Sequence, residues 1–272
     1  MTKQKNVNKK TKQVIEFVQV SPGIAETIPI ILSKDYKRDW IDKNARDLQA
    51  FNQSLKTCPM EQLKDKIKNE SGHIIKCPGI KEFLNTGYLI RNPIDFIIET
   101  NGDGVTFKSV DMSMPSNRGT PFHIGAHPKE QLHDYSKLPQ NTLKTVIKVA
   151  TGWFIVPNED YVFIVTPPHY SNEDRFTSPV GIHDPCTDPQ VNPFLFWHVL
   201  KGRETVKAGT PLCQYIPVPR EFIQPDITCR TATNLDMRNF QACSNLTFWT
   251  KERIPNIQRK NVLEVFKKNK VE

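Results

Sequence analysis

The stretch Thr145-Val-Ile-Lys-Val-Ala-Thr-Gly-Trp-Phe-Ile-Val-Pro-Asn-Glu-Asp-Tyr-Val-Phe-Ile-Val165 holds three runs of β-branched and aromatic residues, 145–149, 153–156 and 161–165. Such side chains suit a pleated, half-buried surface, and the Gly, Pro, Asn and Asp between the runs end each one abruptly. The pattern continues outward. Downstream lie Pro193-Phe-Leu-Phe-Trp-His-Val-Leu200 and Leu212-Cys-Gln-Tyr-Ile-Pro-Val218. Upstream lie Tyr88-Leu-Ile90, Ile94-Asp-Phe-Ile-Ile-Glu99 and Val105-Thr-Phe-Lys-Ser-Val110. Asn101-Gly-Asp-Gly104 joins the last two as a hairpin turn, because these residue types tolerate positive φ. Short strands at regular spacing predict a mainly β chain with an antiparallel sandwich or barrel-like core, of the β-clip or jelly-roll kind. The 21 prolines predict that several strands are edges or stop short.

The flanks differ from this core. Residues 1–13 carry five lysines and no acid, and read as a disordered basic tail. Val14-Ile-Glu-Phe-Val-Gln-Val20 reads as a strand broken by Ser21-Pro22-Gly23, and Pro29-Ile-Ile-Leu32 as a second short one. A small helical part is expected near 38–68, where Trp40, Ile41, Leu48, Phe51 and Leu55 fall at roughly helical spacing. Another helix is expected over 78–85, beginning at Pro78 and closed by Gly87. Residues 111–142 carry few apolar side chains and read as a long loop. Residues 14–224 are thus expected to form one β-rich domain. Residues 225–272 read as an extended C-terminal arm with a helix near 260–269.

Charge is concentrated at the ends. The net charge is +8, with +5 in residues 1–13, +4 in residues 251–272 and −1 in the 237 residues between. A nearly neutral body argues against a nucleic-acid groove in the folded part, which would need clustered Lys and Arg. The basic ends, with Lys9, Lys10, Lys12, Lys267 and Lys268 as candidate binding residues, are either solvated tails or docking elements for an acidic partner. No apolar run approaches the ~20 residues that cross a bilayer, and the lysine-rich start lacks the apolar stretch of a secretory signal, so no membrane partner is expected. Six cysteines without C-x-x-C spacing are expected to be reduced thiols, Cys213 as a small core residue.

Several motifs occur in a recognisable order: Arg38-Asp39-Trp40, Cys77-Pro-Gly79, His127-Pro-Lys-Glu-Gln131, Trp153-Phe-Ile-Val-Pro-Asn-Glu-Asp-Tyr161, Thr166-Pro-Pro168, Gly181-Ile-His-Asp184, Pro193-Phe-Leu-Phe-Trp197 and Ala208-Gly-Thr-Pro-Leu-Cys-Gln-Tyr-Ile-Pro217. The series resembles an uncharacterised family of phage and bacterial proteins, over about residues 35–222, and implies a viral origin without implying an activity. At the level of fold, Val180-Gly-Ile-His-Asp184 and Gly209-Thr-Pro-Leu-Cys-Gln214 resemble elements of the dUTPase and dCTP-deaminase superfamily. That resemblance implies a compact β fold in which Gly181 and Gly209 turn the chain. The sugar-stacking tyrosine, the Pro-Arg-Ser-Gly phosphate loop and the glycine-rich arm of that superfamily are missing.

The chemistry-bearing residues give weak constellations. His123, His127 and His133 share one loop, and three imidazoles can hold zinc or iron if the loop folds back. His169 and His198 are further metal candidates, and His183, Asp184 and Gln214 the catalytic ones. Histidines hydrogen-bonded in loops are the bland alternative for all of them. There is no Gly-x-Ser-x-Gly elbow, no Ser-x-x-Lys and no phosphate loop. The leading expectation is therefore a non-enzymatic, oligomer-forming protein of phage type: a virion accessory, structural or interaction component. It would require no cofactor, contact copies of itself or other virion proteins, and reside in the host cytoplasm or the virion. The alternative is a small-molecule enzyme on a β-barrel scaffold, either a dUTPase-like nucleotide hydrolase or a cupin-like metal-dependent oxygenase.

Overall fold

A computed structural model describes residues 15–20, 23–43, 46, 77–111, 123–128, 130, 138, 141–224, 226–238 and 264. The chain divides into two compact units, Met1–Ile223 and Gln224–Glu272. The first is mainly β and antiparallel. Its strands are β1 (Phe17–Gln19), β2 (Ile31–Leu32), β3 (Tyr88–Arg91), β4 (Phe96–Asn101), β5 (Phe107–Asp111), β6 (His123–His127), β7 (Val146–Ala150), β8 (Trp153–Ile155), β9 (Tyr161–Thr166), β10 (Phe176–Thr177), β11 (Gly181–His183), β12 (Phe194–Trp197), β13 (Lys201–Val206) and β14 (Pro211–Pro219). Among the described residues two α-helices accompany them, α1 (Ile24–Thr27) and α2 (Pro78–Asn85), and residues 39–43 are also helical.

The strands form two hydrophobic cores. In the first, the sheet β13-β4-β5 and the sheet β10-β12-β7-β6 contribute inward side chains to one cluster, as in a sandwich. Phe96 and Ile98 of β4 meet Ile147 and Val149 of β7, Leu195 and Trp197 of β12, and Val206 of β13. In the second, the sheet β11-β9-β14-β3-β2 packs with the ribbon β1-β8, burying Ile90, Trp153, Ile155, Tyr161, Phe163 and Tyr215. Strand β14 belongs to both. Side chains alternate along a strand, so Leu212 enters the first core while Cys213 and Tyr215 enter the second. Asn92 ties the two together at the β3–β4 turn. Its side-chain amide donates to the carbonyls of Ile94, Val206 and Lys207, and its backbone bonds Thr210 and Gly209. Gly209 turns the chain between β13 and β14 at φ 86°, as expected.

Helix α2 begins at Pro78, whose missing N–H costs nothing in a first turn. It stops at Thr86, and Gly87 follows at φ 74°. Any Cβ at residue 87 would sit 2.2 Å from the Tyr215 carbonyl oxygen, so only glycine fits between helix and sheet.

Several expectations need correction. The 111–142 segment contains a strand, β6, paired along its length with β7. Strand β12 ends at Trp197 rather than Leu200, and β13, unforeseen, follows it. The Lys201-Gly-Arg-Glu start of β13 masks its strand character because the strand lies at a sheet edge, where polar side chains face water. Gly181 lies within β11 rather than at a turn. The helix expected over 38–68 is seen only at 39–43 and 46, the rest lying outside the described residues. The basic tail 1–13 and the helix near 260–269 also lie outside, apart from Glu264. The described cysteines, Cys77, Cys186, Cys213 and Cys229, are free, and Cys213 is buried as expected. No described helix is long and apolar enough to cross a membrane.

Candidate functional site

The candidate site is a cleft of about 480 Å³ beside β11. One wall is Ser178 to Asp184, and another is Gln190 to Phe194. Lys148 and Tyr215 complete it. Its position follows from the sheet order, for among the described residues β11 is the outermost strand and pairs only with β9. Val180 and Ile182 alternate onto one side of this edge, 71% and 59% exposed, and Phe194 is exposed nearby. Pro179 and Asp184 bound this short outer strand, yet its apolar side chains remain exposed between them.

The His-Asp pair predicted from sequence lies in this cleft. His183 Nε2 donates to the Asp188 carbonyl at 2.5 Å, and Nδ1 is hydrogen-bonded to the Tyr215 hydroxyl at 3.0 Å. Burial pushes the Tyr215 phenol well up, so it stays a donor. Both ring nitrogens are thus engaged in holding the 183–188 loop on β14. Asp184 points elsewhere. Its carboxylate receives both terminal nitrogens of Arg220, at 2.8 and 2.9 Å, and the Cys186 backbone N–H at 3.0 Å. The Arg220 contact holds the Asp184 carboxyl below its ordinary value. Arg220 also donates to the Glu159 carbonyl, so the pair fastens three loops together.

Gln214, the third catalytic candidate, is fully buried away from the cleft. Its side-chain amide donates to the carbonyl of Thr86, the residue that caps α2, and to that of Phe83, which also accepts the Thr86 backbone N–H. In this fold the glutamine seats a helix on β14.

The metal candidates are dispersed. His123 and His127 both lie on β6. Four residues of extended chain separate their backbones by ~13 Å, too far to share one ion, so the expected folded-back loop is replaced by a straight strand. His127 packs edge-on against Phe194 at 4.9 Å. His198 sits between two hydroxyls, Thr142 Oγ1 at 3.1 Å and Thr177 Oγ1 at 2.7 Å, and burial lowers its pKa. His169 packs against Phe83 and Tyr170. His133 lies outside the described residues, as do Lys9, Lys10, Lys12, Lys267 and Lys268. Among the described residues no three His, Cys, Asp or Glu side chains converge as a metal site would require.

Sequence reasoning missed Val180, Ile182 and Phe194 as site residues. Val180 and Ile182 flank Gly181 in a polar, proline-rich context, and only the strand order reveals them as an open edge. The chain matches no family model and no curated protein.

Proposed function

We propose that this protein works by assembly, as an oligomer-forming component whose β11 edge receives an extended segment of a second copy. The observation that carries the reading is the outer strand β11, where Ile182 and the preceding Val180 stand exposed over an apolar-walled cleft. Strand addition at such an edge draws affinity from main-chain hydrogen bonds and specificity from pockets for alternate side chains. A second copy is the occupant favoured because the same chain carries further exposed apolar side chains in its C-terminal unit, Ile227, Leu235 and Met237. Two different apolar surfaces on one chain suit head-to-tail association. The sequence resemblance to phage-associated proteins supports reading such an assembly as an accessory or structural component of a virion or of the infected host's cytoplasm. The charged termini supply further contacts to acidic partners.

The test is the solution mass of the full chain by light scattering across micromolar concentrations, with Ile182→Lys as the variant. Assembly through β11 predicts a multimer that Ile182→Lys shifts toward the monomer. A chain that stays monomeric throughout, or a multimer indifferent to the substitution, defeats the proposal. Absence of the protein from purified particles would remove the virion assignment alone.

A further inference from the structure

A second cavity of about 480 Å³ lies between residues 34–42 and α2, and its lining is divided in character. Trp40, Ile41, Ile80 and Leu84 supply an apolar wall, whereas Lys34, Lys37 and Lys81 are exposed cations. Arg38 completes it and is only 7% exposed. The guanidinium is held by neutral oxygens. Nη1 donates to the carbonyls of Ser33 at 3.1 Å and Tyr36 at 3.3 Å, and Nη2 donates to Ser33 Oγ at 3.2 Å. The Tyr36 ring lies 5.2 Å away. Its Nε, sealed from solvent, has no hydrogen-bond partner. Asp35 and Asp42 also line the cavity, yet Arg38 forms no ion pair with a described residue.

A buried charge without a counter-charge is costly, and folded chains normally place a carboxylate beside a buried arginine. Burial lowers the arginine's pKa, opposed by the Tyr36 phenol and by no carboxylate, and the group remains charged at neutral pH. Four cations face two acids around the space, so its lining is net positive. The volume is that of an ordinary small-molecule site.

We propose that this cavity binds a small carboxylate with an apolar tail. The carboxylate supplies the counter-charge for Arg38 with the lysines around it, and the tail lies against Ile80, Leu84 and Trp40. Phosphate alone would leave that apolar wall wet, and a neutral tail alone would leave Arg38 uncompensated.

Calorimetric titration and thermal melting of the full chain test this, with octanoate, octanol and inorganic phosphate as probes. The expected result is saturable 1:1 binding of octanoate with a raised melting temperature, and no saturable binding of octanol or phosphate at the same concentration. Arg38→Met should weaken octanoate at least tenfold. Because Arg38 also holds Ser33, a second variant protects the test. Lys37→Glu with Lys81→Glu alters exposed side chains only, and should weaken octanoate several-fold with the fold intact. Absence of saturable octanoate binding, equal binding of octanol or phosphate, or unchanged affinity in the double variant would overturn the proposal.

Discussion

The interior of the sandwich and the edge at β11 are made from the same kinds of side chain, yet one is sealed and the other open. Strand β12 crosses from one to the other: Phe194 is exposed beside the cleft, while Leu195 and Trp197 are wholly buried. Strand β9 has the same asymmetry. It pairs with β14 over six positions on one side and with β11 over three on the other. The lesson is that apolar content does not decide burial here; position in the sheet order does. Surface that a single chain leaves uncovered at a sheet edge is available for another chain.

The contrast can be tested most severely at Trp197. Its ring stacks near Phe176 in the first core and its indole N–H donates to the Val199 carbonyl at 3.0 Å. Trp197→Ala should cost about 3–5 kcal/mol in urea denaturation, enough to unfold a marginal domain. A cost under about 1 kcal/mol would mean that the sandwich interior is not packed as described.

Gln214→Ala should cost less, about 1–3 kcal/mol, because it takes the side-chain donor from the Thr86 carbonyl and one of two donors from the Phe83 carbonyl. Protection of α2 amides from hydrogen exchange should fall with it. Loss of a chemical activity without loss of stability would instead return Gln214 to the catalytic list.

His198 sharpens the comparison through pH. Its folded pKa lies below the unfolded value of about 6.5 because burial disfavours the imidazolium. Below pH ~6.5 the unfolded chain binds a proton that the folded chain does not. Stability therefore declines as pH falls from there, and the decline ends below the folded pKa. Denaturation midpoints of wild type and His198→Gln should diverge at neutral pH and converge on acidification. Parallel pH profiles would place the ring in water.

The smallest stability effect is expected at the edge itself. Ile182→Lys should change the unfolding free energy of the single chain by no more than about 0.5 kcal/mol, since the side chain is already exposed. A large loss would show that β11 is buried within the chain rather than open for association.

Much of the architecture was legible because local chemistry and final structure agree. Pro78 and Gly87 mark the ends of α2, and Asn101-Gly-Asp-Gly104 turns β4 into β5. There Asp103 accepts the backbone N–H groups of Val105 and Thr106 within the same turn. Strands β6 and β13 were illegible for a shared reason. Each lies at a sheet edge, so its strand character comes from pairing with β7 or β4 and not from its own apolar period. The candidate site was half legible. His183 and Asp184 do line one cleft, but what each does there depends on Tyr215, Asp188 and Arg220, up to 36 residues away.

The order of residues alone determined a β-rich chain with a neutral body, basic ends and one proline-started helix, because these depend on neighbours along the chain. Which glutamine seats a helix, which strand stays open and which arginine lacks a counter-ion were decided only when distant segments packed. Hydrogen bonds and burial act between groups near in space, and the distance between two residues in sequence carries no measure of that.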